Sequence, residues 1–333
     1  MNLKISMFKV IRKLFRSFSK YEYKFIDKIT YSTHLKERKK IILPKELLLE
    51  NIESKLKKKS LNPKNLSIVI CFHYRKKRIR YLKKICENIK TFKFKKKITI
   101  LTNEINPHKV KLLNKIIIKI FKDSKIIIIK NIPEPNLLPW YCFNEIRKQQ
   151  TDKTISHFLY LEDDILINEK NINYWIYLRN HIKKYKLIPG FLRYEKKNDL
   201  LFSADHQEKV ILKNTPKFYI SQKRSGLLNT KLPYHAACLM DRELLNEYVK
   251  NNSISIDYGF HHKILRNIYP VKELANIIIG YVNVPTGFHN RFLLPFININ
   301  EIPSYCLVEH LDARFLRLKK SKFSRIQVKH LLI

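Results

Sequence analysis

The chain has 333 residues, 45% hydrophobic and 12% aromatic, enough for a packed core of one large or two small domains and too apolar for a disordered polymer. With 67 Lys and Arg against 28 Asp and Glu, its formal net charge is +39, which favours anionic partners over acidic-surface chemistry. Only five glycines occur, none closer than seven positions to the next, so neither a G-x-G-x-x-G turn nor a G-x-x-x-x-G-K loop can be written and the usual P-loop and dinucleotide fingerprints are excluded.

The first 130 residues hold 37 basic and 9 acidic side chains, and so most of the excess charge. Nucleic-acid phosphates and anionic lipid headgroups both attract such a surface. A composition biased toward Lys, Ile and Asn is the plainer source, because Lys outnumbers Arg 51 to 16 whereas bidentate phosphate recognition favours Arg. Within this stretch Phe8, Ile11, Leu14, Phe15 and Phe18 recur at threes and fours among Lys9, Arg12, Lys13, Arg16 and Lys20. That pattern predicts a basic amphipathic helix, lying either on a membrane surface or on the protein's own core. Residues 1–65 read as this helix and a linker, closed by the charge run and Pro of "KLKKKSLNPKN".

From residue 66 short apolar runs alternate with helical stretches. "LSIVICF" (66–72), "KITILTN" (97–103), "KIIIIK" (125–130) and "ISHFLYLEDDIL" (155–166) read as buried strands, with helices over 75–91, 107–120 and 139–150 between them. This predicts an α/β fold whose mostly parallel sheet carries helices on both faces and binds ligand at the carboxyl ends of its strands. A helix over 168–186 follows, then closely spaced runs, "LIPGFLRYE", "LLFSA", "KVIL" and "KFYISQ", with hairpin spacing, so the second half is mixed. "PYHAACLMDRELL" reads as a strand and a helix capped by Asp241, and further elements are a helix over 258–269 and a strand over 276–284. Residues 66–310 are expected to form one functional unit, with halves 66–166 and 167–310, and 311–333 a basic amphipathic tail. Five cysteines 15, 56, 96 and 68 positions apart fit neither a disulfide framework nor a C-x-x-C motif, which suits a reducing compartment. With no apolar leader core and no spanning stretch, the chain is expected to be cytoplasmic, free or peripheral on the inner face of the membrane.

One segment stands out for chemistry. Glu162, Asp163 and Asp164 end an apolar strand, and three adjacent carboxylates repel one another unless a cation sits among them. Mn²⁺ or Mg²⁺ suits carboxylate oxygens, with substrate phosphates completing the shell. The competing explanation is a cap on the helix that follows, which accounts for one acid and not for three.

A strand ending in this acidic triplet, preceded by three βα units that begin "IVICFHYR", resembles the nucleotide-sugar-dependent glycosyltransferases of the GT-A fold, a Rossmann-like superfamily whose acidic motif takes the form "EDD". The likeness spans residues 66–290. It implies a nucleotide-sugar donor, a glycan or lipid-linked glycan acceptor of a surface polysaccharide or lipopolysaccharide, and an anionic membrane surface as a further partner suggested by the basic ends. Under it Asp164 binds the metal, and Asp163 and Glu162 contact ribose, metal or water. His73, Tyr74 and Arg75 lie against the nucleotide, Asn103 and Glu104 beside base or ribose, and Asn144 and Arg147 near the donor sugar or diphosphate. Asp257 is the implied general base and His289 a late metal ligand, each also readable as an ordinary cap or structural residue. Arg75 equally suits a solvated charge run, and Glu104 a helix cap. The rival from another class is a metal-dependent nucleic-acid-binding protein or nuclease, although no nucleic-acid module is recognisable and no nucleic-acid partner is expected.

Overall fold

The computed structural model describes residues 61–132, 137–215, 217–220, 224–229, 237–250 and 291–333, with Leu43, Leu47, Leu49 and 52–56 before them. The expected N-terminal helix, the 258–269 helix, the 276–284 strand, Asp257 and His289 lie outside these residues.

A short helix, α1 (Ile52–Leu56), leads to β1 (Leu66–Phe72), α2 (Ile79–Lys90), β2 (Lys96–Thr102), α3 (Pro107–Ile120), β3 (Lys125–Ile128), α4 (Leu138–Gln149) and β4 (His157–Glu162). Every residue of β1 is buried, which explains why it reads as an unbroken apolar run and not as an alternation. β2 and β4 flank it in parallel, β3 lies outside β2, and β11 (Ala237–Asp241) closes the far edge antiparallel to β4. Successive right-handed crossovers put α2 and α3, which pack together, on one face, and α4, which packs on β1, β2 and β4, on the other. The α/β class and the mostly parallel sheet are therefore as the sequence predicts.

Local chemistry sets the element ends. Asn106 accepts hydrogen bonds from the His108 and Lys109 amides, and Pro107 occupies the first helical position, so α3 starts where the sequence places it. α2 opens with a 3-10 turn over Lys76–Arg78 and buries Leu82, Ile85, Cys86 and Ile89 along one stripe. At the far end of α4, Gln149 reaches into the sheet to Ser67 Oγ and, at 3.2 Å, Thr99 Oγ1. That pins the last turn of α4 to the start of β1 and the middle of β2.

The second half is mixed. After β5 (Ile165–Leu166) and α5 (Glu169–Ile182) come β6 (Ile188–Pro189), β7 (Leu192–Lys197), β8 (Leu200–Ser203), β9 (Lys217–Ile220), β10 (Ser225–Leu228), α6 (Arg242–Lys250), β12 (Phe292–Phe296), β13 (Leu307–His310) and α7 (Arg314–Arg317). They form two four-stranded sheets, ordered β6-β12-β10-β9 and β5-β13-β7-β8. Asn198 and Asp199, at φ 47° and 62°, make the tight turn of the β7–β8 hairpin, where residues tolerant of positive φ are required. Asp241 accepts the Leu244 amide at 2.7 Å and so caps α6 as expected. "KVIL" is not a strand, because its only ladder contact is a bridge from Val210 to Leu332. The closing residues are not a free amphipathic tail: Ser203, Val210 and Leu212 donate their amides to Ile326, Leu331 and Ile333, burying Leu331 and Leu332.

Gly226 has no space for a side chain. A Cβ there would overlap the Phe218 carbonyl oxygen and lie 2.7 Å from the Phe296 ring. Gly226→Ala is therefore expected to lose about 1–3 kcal/mol of stability, the range for overpacked cores. Urea unfolding checks this, and an unchanged midpoint would show that β9 and β12 can part at no cost.

All five cysteines are buried and none is in a disulfide. Among the described residues no helix is long and apolar enough to cross a membrane.

Candidate active site

The register of the sheet sets the site. Cys71 pairs with Glu162 and Phe72 with Thr102, so β1, β2 and β4 end at one level and their connections emerge together. Asp163 and Asp164 form the two-residue turn from β4 to β5, at 0% and 2% exposure. They do not cap α5. That helix begins at Asn168, whose amide donates to the Asn171 side chain at 2.7 Å. The capping explanation of the triplet is thereby removed.

Arg78 supplies the cation. Its guanidinium bridges the turn, with Nη1 on Asp163 Oδ1 and Nη2 on Asp164 Oδ2 at 2.6 Å. Asp164 has a second partner. β13 pairs antiparallel with β5, His310 opposite Ile165, which brings His310 Nε2 to 3.5 Å from Asp164 Oδ2, while the Leu311 amide donates to the Asp164 carbonyl at 2.7 Å. The other ring nitrogen of His310 meets Glu195 Oε1 at 2.7 Å, and Glu195 also accepts the Phe315 and Leu316 amides. A buried chain of alternating charge thus runs from Arg78 through Asp164 and His310 to Glu195.

The electrostatics divide the three acids. Burial works against ionising Asp164, but the His310 hydrogen bond and the Arg78 charge outweigh it and hold the group at about 2. Burial dominates at Asp163 and pushes it well above the usual carboxylate range despite Arg78. Glu162 is raised by burial and by the neighbouring Asp164. Burial opposes protonation of His310, yet its bonds to Asp164 and Glu195 raise it overall.

Two carboxylate oxygens, Asp163 Oδ2 and Asp164 Oδ1, are buried without a hydrogen-bond partner. Such orphaned oxygens are costly, and a divalent cation of the Mg²⁺ or Mn²⁺ kind fits them, being oxygen-seeking and content with two protein carboxylates. Among the described residues no group of three or more His, Cys, Asp and Glu is disposed around a metal, so the protein's share there is this pair.

The predicted site residues separate into groups. His73, Tyr74 and Arg75 follow β1 at the acidic end, Tyr74 half-buried edge-on to Phe72 at 5.9 Å and Arg75 exposed. Asn103 follows β2 with its Oδ1 buried and unpartnered. Glu104 serves the local chain: it accepts the Asn106 amide at 2.9 Å and pairs with Lys109 at 3.0 Å, and the amide bond, ahead of the ion pair, lowers its pKa. Arg147 is exposed in the last turn of α4. α4 runs opposite to the strands, and Arg147 lies two residues before Gln149, which meets the start of β1 and the middle of β2. Asn144 lies between, next to Phe143, whose ring stacks on Tyr160 midway along β4.

Sequence reasoning missed Arg78, Glu195 and His310. A signal existed for Arg78. It lies on the stripe of Leu82, Ile85 and Ile89, a basic residue at an apolar position of an amphipathic helix. The others sit in four- to six-residue strands whose pairing is not local, and only "EHLD" hints at a second polar cluster.

No protein-family model matches the chain, and no curated protein matches its sequence. Among solved structures it is similar to the crystal structure of S. aureus TarS, a glycosyltransferase, at 9% identity over 55% of this chain and with a TM-score of 0.35. The likeness spans 29% of that protein's length.

Proposed function

We propose that the chain is a metal-dependent glycosyltransferase of the GT-A kind, moving a sugar from a nucleotide-sugar donor to a glycan of a surface polysaccharide or lipopolysaccharide. The observation that supports it most is the placement of two buried, orphaned carboxylate oxygens at the carboxyl end of β4, beside the emerging ends of β1 and β2. That edge of a parallel sheet is where nucleotides bind.

Asp163 and Asp164 would hold the divalent ion, with Asp164 kept ionised by His310 and Arg78. A bound ion would neutralise charge on the leaving diphosphate. The chain's own residues do the rest. Tyr74 and Asn103 border the space beyond the strand ends and suit a base and ribose, and the exposed Arg75 suits a diphosphate. The His310–Glu195 pair fixes the orientation of Asp164, as an outer hydrogen bond fixes a ligand carboxylate. Asp257 as general base and His289 as a further ligand belong to the same reading.

Calorimetric titration of UDP-, GDP- and CMP-sugars with and without Mn²⁺, repeated on Asp164→Ala and Asp164→Asn, tests it. One nucleotide sugar should bind with metal and lose at least about tenfold in affinity in both variants, the scale of losing one charged contact. Absence of binding by every nucleotide sugar, with retained Mn²⁺-dependent binding of DNA or RNA, would replace this function by the nuclease reading.

A further inference from the structure

We propose that the outward face of α3, with the β3 edge beside it, docks the protein on an anionic lipid bilayer. α3 buries only Leu113 and Ile117. At 100° per residue the opposite side carries His108, Lys111, Leu112, Lys115, Ile118 and Lys119. Ile105, Leu112 and Ile118 are 65%, 48% and 48% exposed, large aliphatic side chains standing in water among lysines. Between residues 105 and 130, Lys109, Lys111, Lys115, Lys119, Lys122, Lys125 and Lys130 are all exposed, and Asp123 is the lone acid.

Charge complementarity selects an anionic partner, and the aliphatics decide which kind. A nucleic-acid backbone gains nothing from Leu112 or Ile118, whereas the headgroup boundary takes up both lysines and shallow apolar side chains. The position also makes sense. Ile105 follows Thr102 by three residues at the carboxyl ends of the strands, so docking here brings that edge of the sheet toward the bilayer. The inference does not depend on the chemistry proposed for the acidic turn, and vesicle binding is measured with no nucleotide present.

The test is co-sedimentation of the full chain with vesicles of phosphatidylglycerol in phosphatidylcholine and with pure phosphatidylcholine. Two surface variants are compared with the parent, Leu112→Ser/Ile118→Ser and Lys111→Gln/Lys115→Gln/Lys119→Gln. The parent should prefer the anionic vesicles. The lysine variant should partition on the order of a hundredfold more weakly and the aliphatic one about tenfold more weakly. Equal binding to both vesicles, no binding, or parental binding by both variants overturns the proposal. A loss in the lysine variant alone also overturns it, since the exposed aliphatic side chains then take no part in the contact.

Discussion

Arg78→Gln is expected to lose about 3–5 kcal/mol of folding stability and to regain part of it when Mn²⁺ is added. The guanidinium bridges both carboxylates of the β4–β5 turn, and among the described residues its removal leaves Asp163 without an ion-pair partner and Asp164 with His310 as its ion-pair partner and the more distant charge of Arg193. Breaking a buried pair from one side costs in that range, because the stranded charge cannot be rehydrated. A divalent ion that takes its place stabilises the fold by mass action, and the gain grows with its concentration. Arg75→Gln, three residues earlier at an exposed position, should stay within about 0.5 kcal/mol. Urea unfolding of the three proteins with and without Mn²⁺ reads both effects. A loss under about 1 kcal/mol in Arg78→Gln, or a Mn²⁺ gain no larger than in the parent, would show that the turn does not depend on a cation.

The second large effect is a pH dependence centred on His157, at the opposite end of β4. Its ring packs edge-on to Trp175 at 6.4 Å with Nδ1 3.0 Å from Ser156 Oγ, and burial, only partly offset by Asp241, lowers it from 6.5 to about 4. Between those values the unfolded chain binds a proton that the folded chain refuses. Stability should therefore be full above pH 6.5 and fall as the pH drops to about 4, by at most about 3 kcal/mol from this group. His157→Gln should remove this group's share of that limb, leaving the share of His206, which burial also lowers, and the slope below pH 4, where carboxylates such as Asp164 titrate. An unchanged profile would mean that the imidazole is hydrated in the folded state.

The parallel half was legible because its signals are local. Continuous β-branched runs such as "LSIVICF" mark strands buried on both faces, and a cap followed by a proline, Asn106-Pro107, marks a helix start to the residue. The acidic triplet was legible for a similar reason, since three adjacent carboxylates need an explanation wherever they fall. The mixed half was not, because strands of two to six residues carry too little periodicity and pair by register across long gaps. The histidine beside Asp164 is a case in point. It is the β5–β13 register that puts His310 there, and register is invisible without the fold. For Arg147, likewise, a residue's place on a helix says nothing of which end of the sheet that turn meets.

The route by which the charge chain is closed bears on how the protein is made. Tyr81 and Asp312, 231 positions apart, touch across the same seam that joins Asp164 to His310. The βα half, with Arg78 and the acids in place, leaves the ribosome long before β13 is synthesised, and contacts of such separation form late. Until then the nascent βα half holds its acids on the Arg78 counter-charge. A truncated product that lacks β13 therefore carries a half-built centre, so the site can be assembled only after β13 has been made.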